Sequence, residues 1–243
     1  MTERIVRRDA DGLSTLTLNR PEKLNALDTP AFEQLDAHLT ALASDERIGC
    51  IVVRGAGRCF CAGADLKALV GAAVPAAFKP GVIERLGLLP QPVIAAVHGV
   101  CFTGALELAL ACDFIVADAT ARFADTHGKW GLVSQWGMSQ RLPRRIGAAA
   151  AKLMMMTGRI VEAAEAHRAG LVDLLAPAGG LDELVAKLAA DVLANSWHTN
   201  LATKRLMRES DGLSLAQGLA HEHYRHPGFA ADHEERIARF SRK

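Results

Sequence analysis

The chain has 243 residues, half of them hydrophobic, with 28 Lys and Arg against 27 Asp and Glu for a net charge of +1. That length suits one compact domain with an appendage and supplies ample core, while the even charge balance leaves no footprint for nucleic acid or an anionic membrane. Cys50, Cys59, Cys61, Cys101 and Cys112 form an odd set without a C-x-x-C pair, which points to reduced thiols. The N-terminus lacks the apolar core of a signal peptide, and the apolar stretches break within about ten residues, too short for a bilayer span. The expectation is a cytoplasmic protein with no membrane and no nucleic-acid partner.

Residues 3–19 read as a hairpin, with Ile5 and Val6 opening it, Asp11-Gly12 at the turn, and Leu16 and Leu18 alternating with polar neighbours. A helix follows, with Thr29 as its cap, Pro30 at its first position and Phe32, Leu35, Leu39 and Leu42 as one stripe. Residues 48–53 predict a short strand ending in the glycine-rich segment 55–63. Residues 70–81, small and broken by prolines and glycines, read as a mobile loop. Residues 92–97 predict another strand, leading through His98-Gly99 to a turn at Thr103-Gly104, a helix over 105–111 and a strand over 113–116. Residues 148–170 predict two helices broken at Thr157-Gly158, the second with Glu162 in its first turn and Gly170 as its C-terminal cap. Residues 171–175 complete the strands, and everything after Leu181 is helical in pattern. Alternating short strands and helices place the chain in the α/β class, divided into a core over 1–190 and a helical region over 191–243.

Four segments, in order, carry a resemblance. They are Arg20-Pro-Glu-Lys-Leu-Asn-Ala-Leu27, Phe60-Cys-Ala-Gly-Ala-Asp-Leu-Lys67, Pro92-Val-Ile-Ala-Ala-Val-His-Gly99 with Thr103-Gly-Ala-Leu-Glu107 after it, and Trp136-Gly-Met-Ser-Gln-Arg-Leu-Pro143. Together they resemble the crotonase (enoyl-CoA hydratase/isomerase) superfamily from about residue 4 to the C-terminus. The resemblance implies a spiral of ββα turns, C-terminal helices that assemble trimers or paired trimers, and an acyl-coenzyme A thioester as substrate, with coenzyme A part of that substrate and no prosthetic group.

Thioester chemistry through an enolate places negative charge on the carbonyl oxygen, and two preorganised N–H donors stabilise that charge. The resemblance assigns them to Ala62 and Gly104, where small residues allow close backbone approach. Gly104 also stands where a helix begins, which adds partial positive charge. Glu107, one turn into that helix, falls on the first of the two catalytic glutamates of family hydratases. A carboxylate in so apolar a run needs a partner or a task. The second glutamate position is occupied by His127, in Phe123-Ala-Asp-Thr-His127. An imidazole can donate or accept a proton near neutrality, with Asp125 two residues earlier to orient it or to reach the site itself. A structural histidine in a site lacking one catalytic arm stands equally beside that reading.

Three outcomes follow: a hydratase using Glu107 on water and His127 as proton donor, which we favour; an isomerase or other crotonase reaction with one acid/base group; or an acyl-CoA binder without turnover. Leu24, Ala26, Ala64, Asp65 and Leu66 match the family's coenzyme contacts, and Phe240 and Lys243 resemble a pair that reaches a neighbouring subunit's coenzyme. Trp130, Trp136 and Met138 are candidates for the acyl tunnel, with ordinary core the alternative. The His221-Glu-His-Tyr-Arg-His226 tract is set aside as a metal site, because residues two apart do not share a helix face.

Overall fold

The computed structural model describes residues 3–69 and 75–240. β1 (Ile5–Ala10) and β2 (Leu13–Leu18) form the expected antiparallel hairpin, with Asp11 at φ 49° and Gly12 at φ 82°, the left-handed pair that a tight two-residue turn requires. α1 (Thr29–Leu42) carries the Phe32, Leu35, Leu39 and Leu42 stripe into the core. Its cap is Asp28, not Thr29, since the Asp28 carboxylate accepts from Ala31 N–H and Thr29 is already helical. β3 (Cys50–Gly55) starts two residues later than the apolar pattern suggested.

α2 (Phe78–Leu88) begins inside the stretch expected to be loop, because Phe78, Val82, Ile83 and Leu86 give a helical face to bury. Residues 70–74 of that expectation lie outside the described residues. β4 (Val93–Val97) is followed by β5 (Val100–Phe102), too short to declare itself in the sequence. α3 (Gly104–Leu110) and β6 (Phe114–Asp118) each sit within a residue or two of their expected starts. β7 (Arg122–Ala124), α4 (Met138–Ile146) and α5 (Ala148–Thr157) follow, with Gly158 capping α5 at φ 60°. Glu162 ends the two-residue β8 (Val161–Glu162) and caps α6 (Ala163–Arg168) in an extended conformation, rather than standing in its first turn. β9 (Leu174–Ala176) replaces the expected strand over 171–175. α7 (Leu181–Ala194), α8 (Trp197–Glu209), α9 (Leu215–Arg225) and α10 (His233–Phe240) complete the chain as its pattern indicated.

The strands form two sheets. One has the order β1-β2-β3-β4-β6-β9, parallel except for the first pair, and the other is β5-β7-β8. Both faces of the larger sheet are covered, as an extended parallel sheet requires. Ile51, Val53, Ala95 and Ile115 face α1 to α3, whereas Cys50, Val52, Ile94 and Val116 face Leu181, Val185 and Ala189 of α7.

The connection rule places the site. β4 belongs to the large sheet, β5 to the small one, and α3 follows; β6 and β7 repeat the excursion. A third rung is the isolated parallel bridge between Cys61 and Cys101, which extends the small sheet to the segment after β3. Successive ββα turns thus align Cys61, Cys101 and Phe123. Three residues beyond each stand Ala64, Gly104 and Thr126, equivalent positions of three turns brought to one end of the small sheet.

Candidate active site

A cavity of about 650 Å³ opens at that end, lined by Ala64, Thr103, Gly104, Glu107, Thr126 and His127, with Leu66, Phe102, Trp130, Leu132, Val133 and Trp136 among its apolar walls. Its shape and lining are those of a small-molecule site, mostly apolar with a few convergent polar groups.

Hydrogen bonding separates the backbone amides at this end of the sheet into engaged and unengaged ones. Ala62 lines the cavity, but its N–H already donates to Leu24 O at 2.9 Å. Ala62 is therefore not the available donor that the sequence suggested. Asp65 N–H is likewise engaged, with Leu27 O, and Gly63 N–H points to Cys61 Sγ. Ala64 N–H has no acceptor among the described residues, and neither has Gly104 N–H at the start of α3. The segments that carry them meet at a tight junction. A Cβ on Gly63 would lie 2.8 Å from Phe102 O and 3.4 Å from Gly104 N, while one on Gly104 would lie 2.4 Å from the Trp136 ring. Glycine at 104 is thus a packing requirement.

The loop holding Ala64 is built from behind. Asn25, at φ 56° and 1% exposed, donates to Ala56 O, Cys59 O and Phe60 O and accepts from Arg20 N–H. The Cys61 thiol donates to Asn25 O at 3.0 Å, and burial pushes its pKa up to about 12, so it remains a neutral donor. Asn25 stands in the Arg20–Leu27 motif without having been singled out from sequence. An amide side chain is a natural tie between loops, but its four partners come from 31 to 35 residues away or from its own turn.

Glu107 is 1% exposed. Its Oε1 accepts from Trp136 N–H at 2.8 Å and Met138 N–H at 3.1 Å, so the start of α4 fixes it. Its Oε2 stands 3.7 Å from His127 Nε2. His127 Nδ1 is 2.6 Å from Asp125 Oδ1, and the same oxygen accepts the His127 backbone N–H at 3.1 Å. With Nδ1 donating to Asp125 Oδ1, Nε2 is the atom turned to Glu107. Desolvation raises the Glu107 pKa above its ordinary range, against the opposing pull of the Met138 N–H, the nearby imidazole and the Trp136 N–H. Desolvation disfavours the His127 cation, but the Asp125 hydrogen bond and the charges of Asp125 and Glu107 outweigh it and raise its pKa too. The gap of 3.7 Å exceeds a direct hydrogen bond. It is the base of a triangle whose apex, about 2.8 Å from both atoms, suits a water molecule.

A family model described as enoyl-CoA hydratase/isomerase matches residues 8–243. The chain belongs to the enoyl-CoA hydratase/isomerase family. A probable enoyl-CoA hydratase of Rhizobium meliloti is 39% identical over 212 residues, covering 85% of this chain and 82% of that protein. The 2,3-dehydroadipyl-CoA hydratase of Escherichia coli is 36% identical over 248 residues, covering 100% and 97%. An enoyl-CoA hydratase structure from Bacillus anthracis superposes with a TM-score of 0.92 at 31% identity, covering 98% of this chain and 96% of that one.

Within this family framework, the remaining candidates divide. Leu66, Trp130 and Trp136 line the cavity; Trp130 is 59% exposed at its rim, and Trp136 packs edge-on to Phe32 at 4.9 Å. Met138 is core, contributing its amide rather than its side chain. Leu24, Ala26 and Asp65 are outside the lining. Leu24 O receives Ala62 N–H, Ala26 O accepts from Arg20, and the Asp65 carboxylate, its pKa lowered chiefly by the Arg20 hydrogen bond, pairs with Arg20 at 2.9 Å. Phe240 ends α10, and Lys243 lies outside the described residues. In the histidine tract, His221 pairs with Glu209 at 3.0 Å, and no cluster suited to a metal ion occurs among the described residues.

Proposed function

We propose that this family member adds water across the double bond of a trans-2-enoyl-CoA. The carrying observation is that Glu107 and His127 face each other at 3.7 Å in a cavity also lined by Ala64 and Gly104, whose amides have no acceptor among the described residues. Water held between Oε2 and Nε2 loses a proton to Glu107 as its oxygen attacks the β-carbon. The electron pair moves onto the thioester oxygen, where the two N–H groups hold it. The enolate then takes a proton at the α-carbon from Nε2 of protonated His127, and Asp125 keeps the ring oriented. Transfer of the proton from Glu107 to His127 restores the starting state, so one water is added overall. Coenzyme A enters as part of the substrate, and no prosthetic group takes part in these steps.

We further propose a homotrimer or a dimer of trimers. Met207, Leu215 and Phe229 on the C-terminal helical region are 70%, 80% and 83% exposed, the kind of apolar surface that assembly covers. No described helix is long and apolar enough to cross a membrane, and five buried free thiols suit a reducing cytoplasm.

The test is incubation with trans-2- and 3-enoyl-CoAs of several lengths, with products resolved by chromatography and mass. A 3-hydroxyacyl-CoA, 18 mass units heavier than its substrate by about the mass of one water, is the expected product. Double-bond migration without added mass would replace this reading with isomerisation, and absence of both with binding alone.

A further inference from the structure

Thr103 precedes the Gly104 amide and stands at φ 55°, ψ −114°, a conformation that suits glycine and strains a β-branched residue. The ψ of Thr103 sets the plane of the peptide joining it to Gly104, and so the direction in which the Gly104 N–H points. Something must hold that angle. Thr103 Oγ1 lies 2.6 Å from Thr126 Oγ1 and accepts the Thr126 backbone N–H at 3.1 Å, while Thr103 N–H donates to Ala124 O at 2.8 Å. Three bonds thus tie one strained residue to the segment that continues into His127. Both threonines line the cavity, and Thr103 is 9% exposed, so water competes poorly for these bonds.

We infer that Thr103 and Thr126 are positioning residues: their hydroxyl clamp aims the Gly104 N–H at the substrate carbonyl and keeps the carbonyl grip in register with the Asp125–His127 arm. This rests on the carbonyl-grip reading above. The physical case is that strain localised at one residue relaxes when its side-chain anchor goes. Rotation about ψ swings the donor off the carbonyl without moving the α3 helix behind it. Valine keeps the shape of threonine but not its hydroxyl, serine keeps the hydroxyl, and glycine tolerates the backbone angle while removing the anchor.

The experiment reads the donor directly. Butanoyl-CoA carrying ¹³C at the carbonyl is bound to each purified protein, and the carbonyl stretch is recorded by isotope-edited infrared spectroscopy. Wild-type protein is expected to shift the stretch to lower frequency than in water. Thr103→Val, Thr103→Gly and Thr126→Val are expected to lose much of the shift, and Thr103→Ser to restore it. Turnover of a trans-2-enoyl-CoA should fall about tenfold in kcat for the three disrupting variants, with KM within about twofold, as befits an interaction made mainly in the transition state. Thr103→Gly keeps the test valid if Thr103→Val fails to fold, because glycine is at home at this angle. A full shift retained in Thr103→Gly and Thr126→Val overturns the clamp while leaving the grip in place, as does a serine variant that restores nothing. An unshifted carbonyl in the wild-type protein overturns the grip itself, and the clamp with it.

Discussion

Replacing Glu107 by Gln separates the chemistry of this site from its architecture. The amide oxygen can still accept from Trp136 and Met138 N–H, so the start of α4 keeps its anchor, while the atom facing His127 becomes an NH₂ group that cannot take a proton from water. Loss of a general base is expected to lower kcat by about 10²- to 10⁴-fold, or about 3 to 5 kcal/mol of barrier. Affinity for a saturated acyl-CoA should be nearly unchanged. Stability should move the other way. The folded protein raises the Glu107 pKa above its ordinary 4.5, chiefly by desolvation, so its stabilising contribution is complete below 4.5 and is lost as pH rises through the raised value. At pH 9 the ionised carboxylate is therefore a burden that glutamine does not carry. Each kcal/mol relieved raises Tm by about 2 to 4 °C in a chain of this size. Calorimetry at pH 4 and pH 9, with turnover measured near neutrality, checks both halves. Wild-type turnover in the variant would remove Glu107 from the mechanism, and a Tm gain as large at pH 4 as at pH 9 would refute the buried-charge argument.

Turnover should follow a bell in pH. The ascending limb, for ionisation of Glu107, lies above its ordinary 4.5, and the descending limb, for loss of the His127 proton, lies above its ordinary 6.5; as the groups interact, both limbs belong to the pair. A flat kcat profile from pH 6 to 9 would take His127 out of proton transfer. Asp125→Asn removes the charge that supports the imidazolium, so the descending limb should move to lower pH and kcat should fall about tenfold or more, as kinetics across pH will read. Gly104→Ala drives a methyl to 2.4 Å from Trp136, and displacing the amide costs about 3 to 4 kcal/mol of barrier, read as kcat; partial recovery on adding Trp136→Leu is the signature that the clash is the cause. Asn25→Ala leaves three carbonyls, two of them in buried bonds, without their donor, and chemical denaturation should show a loss of about 3 kcal/mol.

The sequence by itself determined the fold class and the family, because four motifs in order, together with alternating strand and helix patterns, leave little freedom about the architecture. It marked Glu107 as a candidate as well, since a carboxylate inside the run Gly104–Leu110 stands out wherever that helix packs. The tertiary structure decided which of the Ala62 and Ala64 amides is left without an acceptor among the described residues. Ala62 and Ala64 are indistinguishable as small residues in one glycine-containing segment; the parallel pairing of Cys61 with Cys101 and the capture of Ala62 N–H by Leu24 O single out Ala64. It also set His127 between Asp125 and Glu107, and it exposed the Thr103–Thr126 bond between residues 23 apart in the chain. β5 and β7 were invisible for a related reason: three-residue strands have no periodicity to detect, and they exist because the spiral supplies each with a neighbour from another turn. Composition and pattern are local, whereas a hydrogen-bond donor is free or engaged according to what the rest of the chain brings to it.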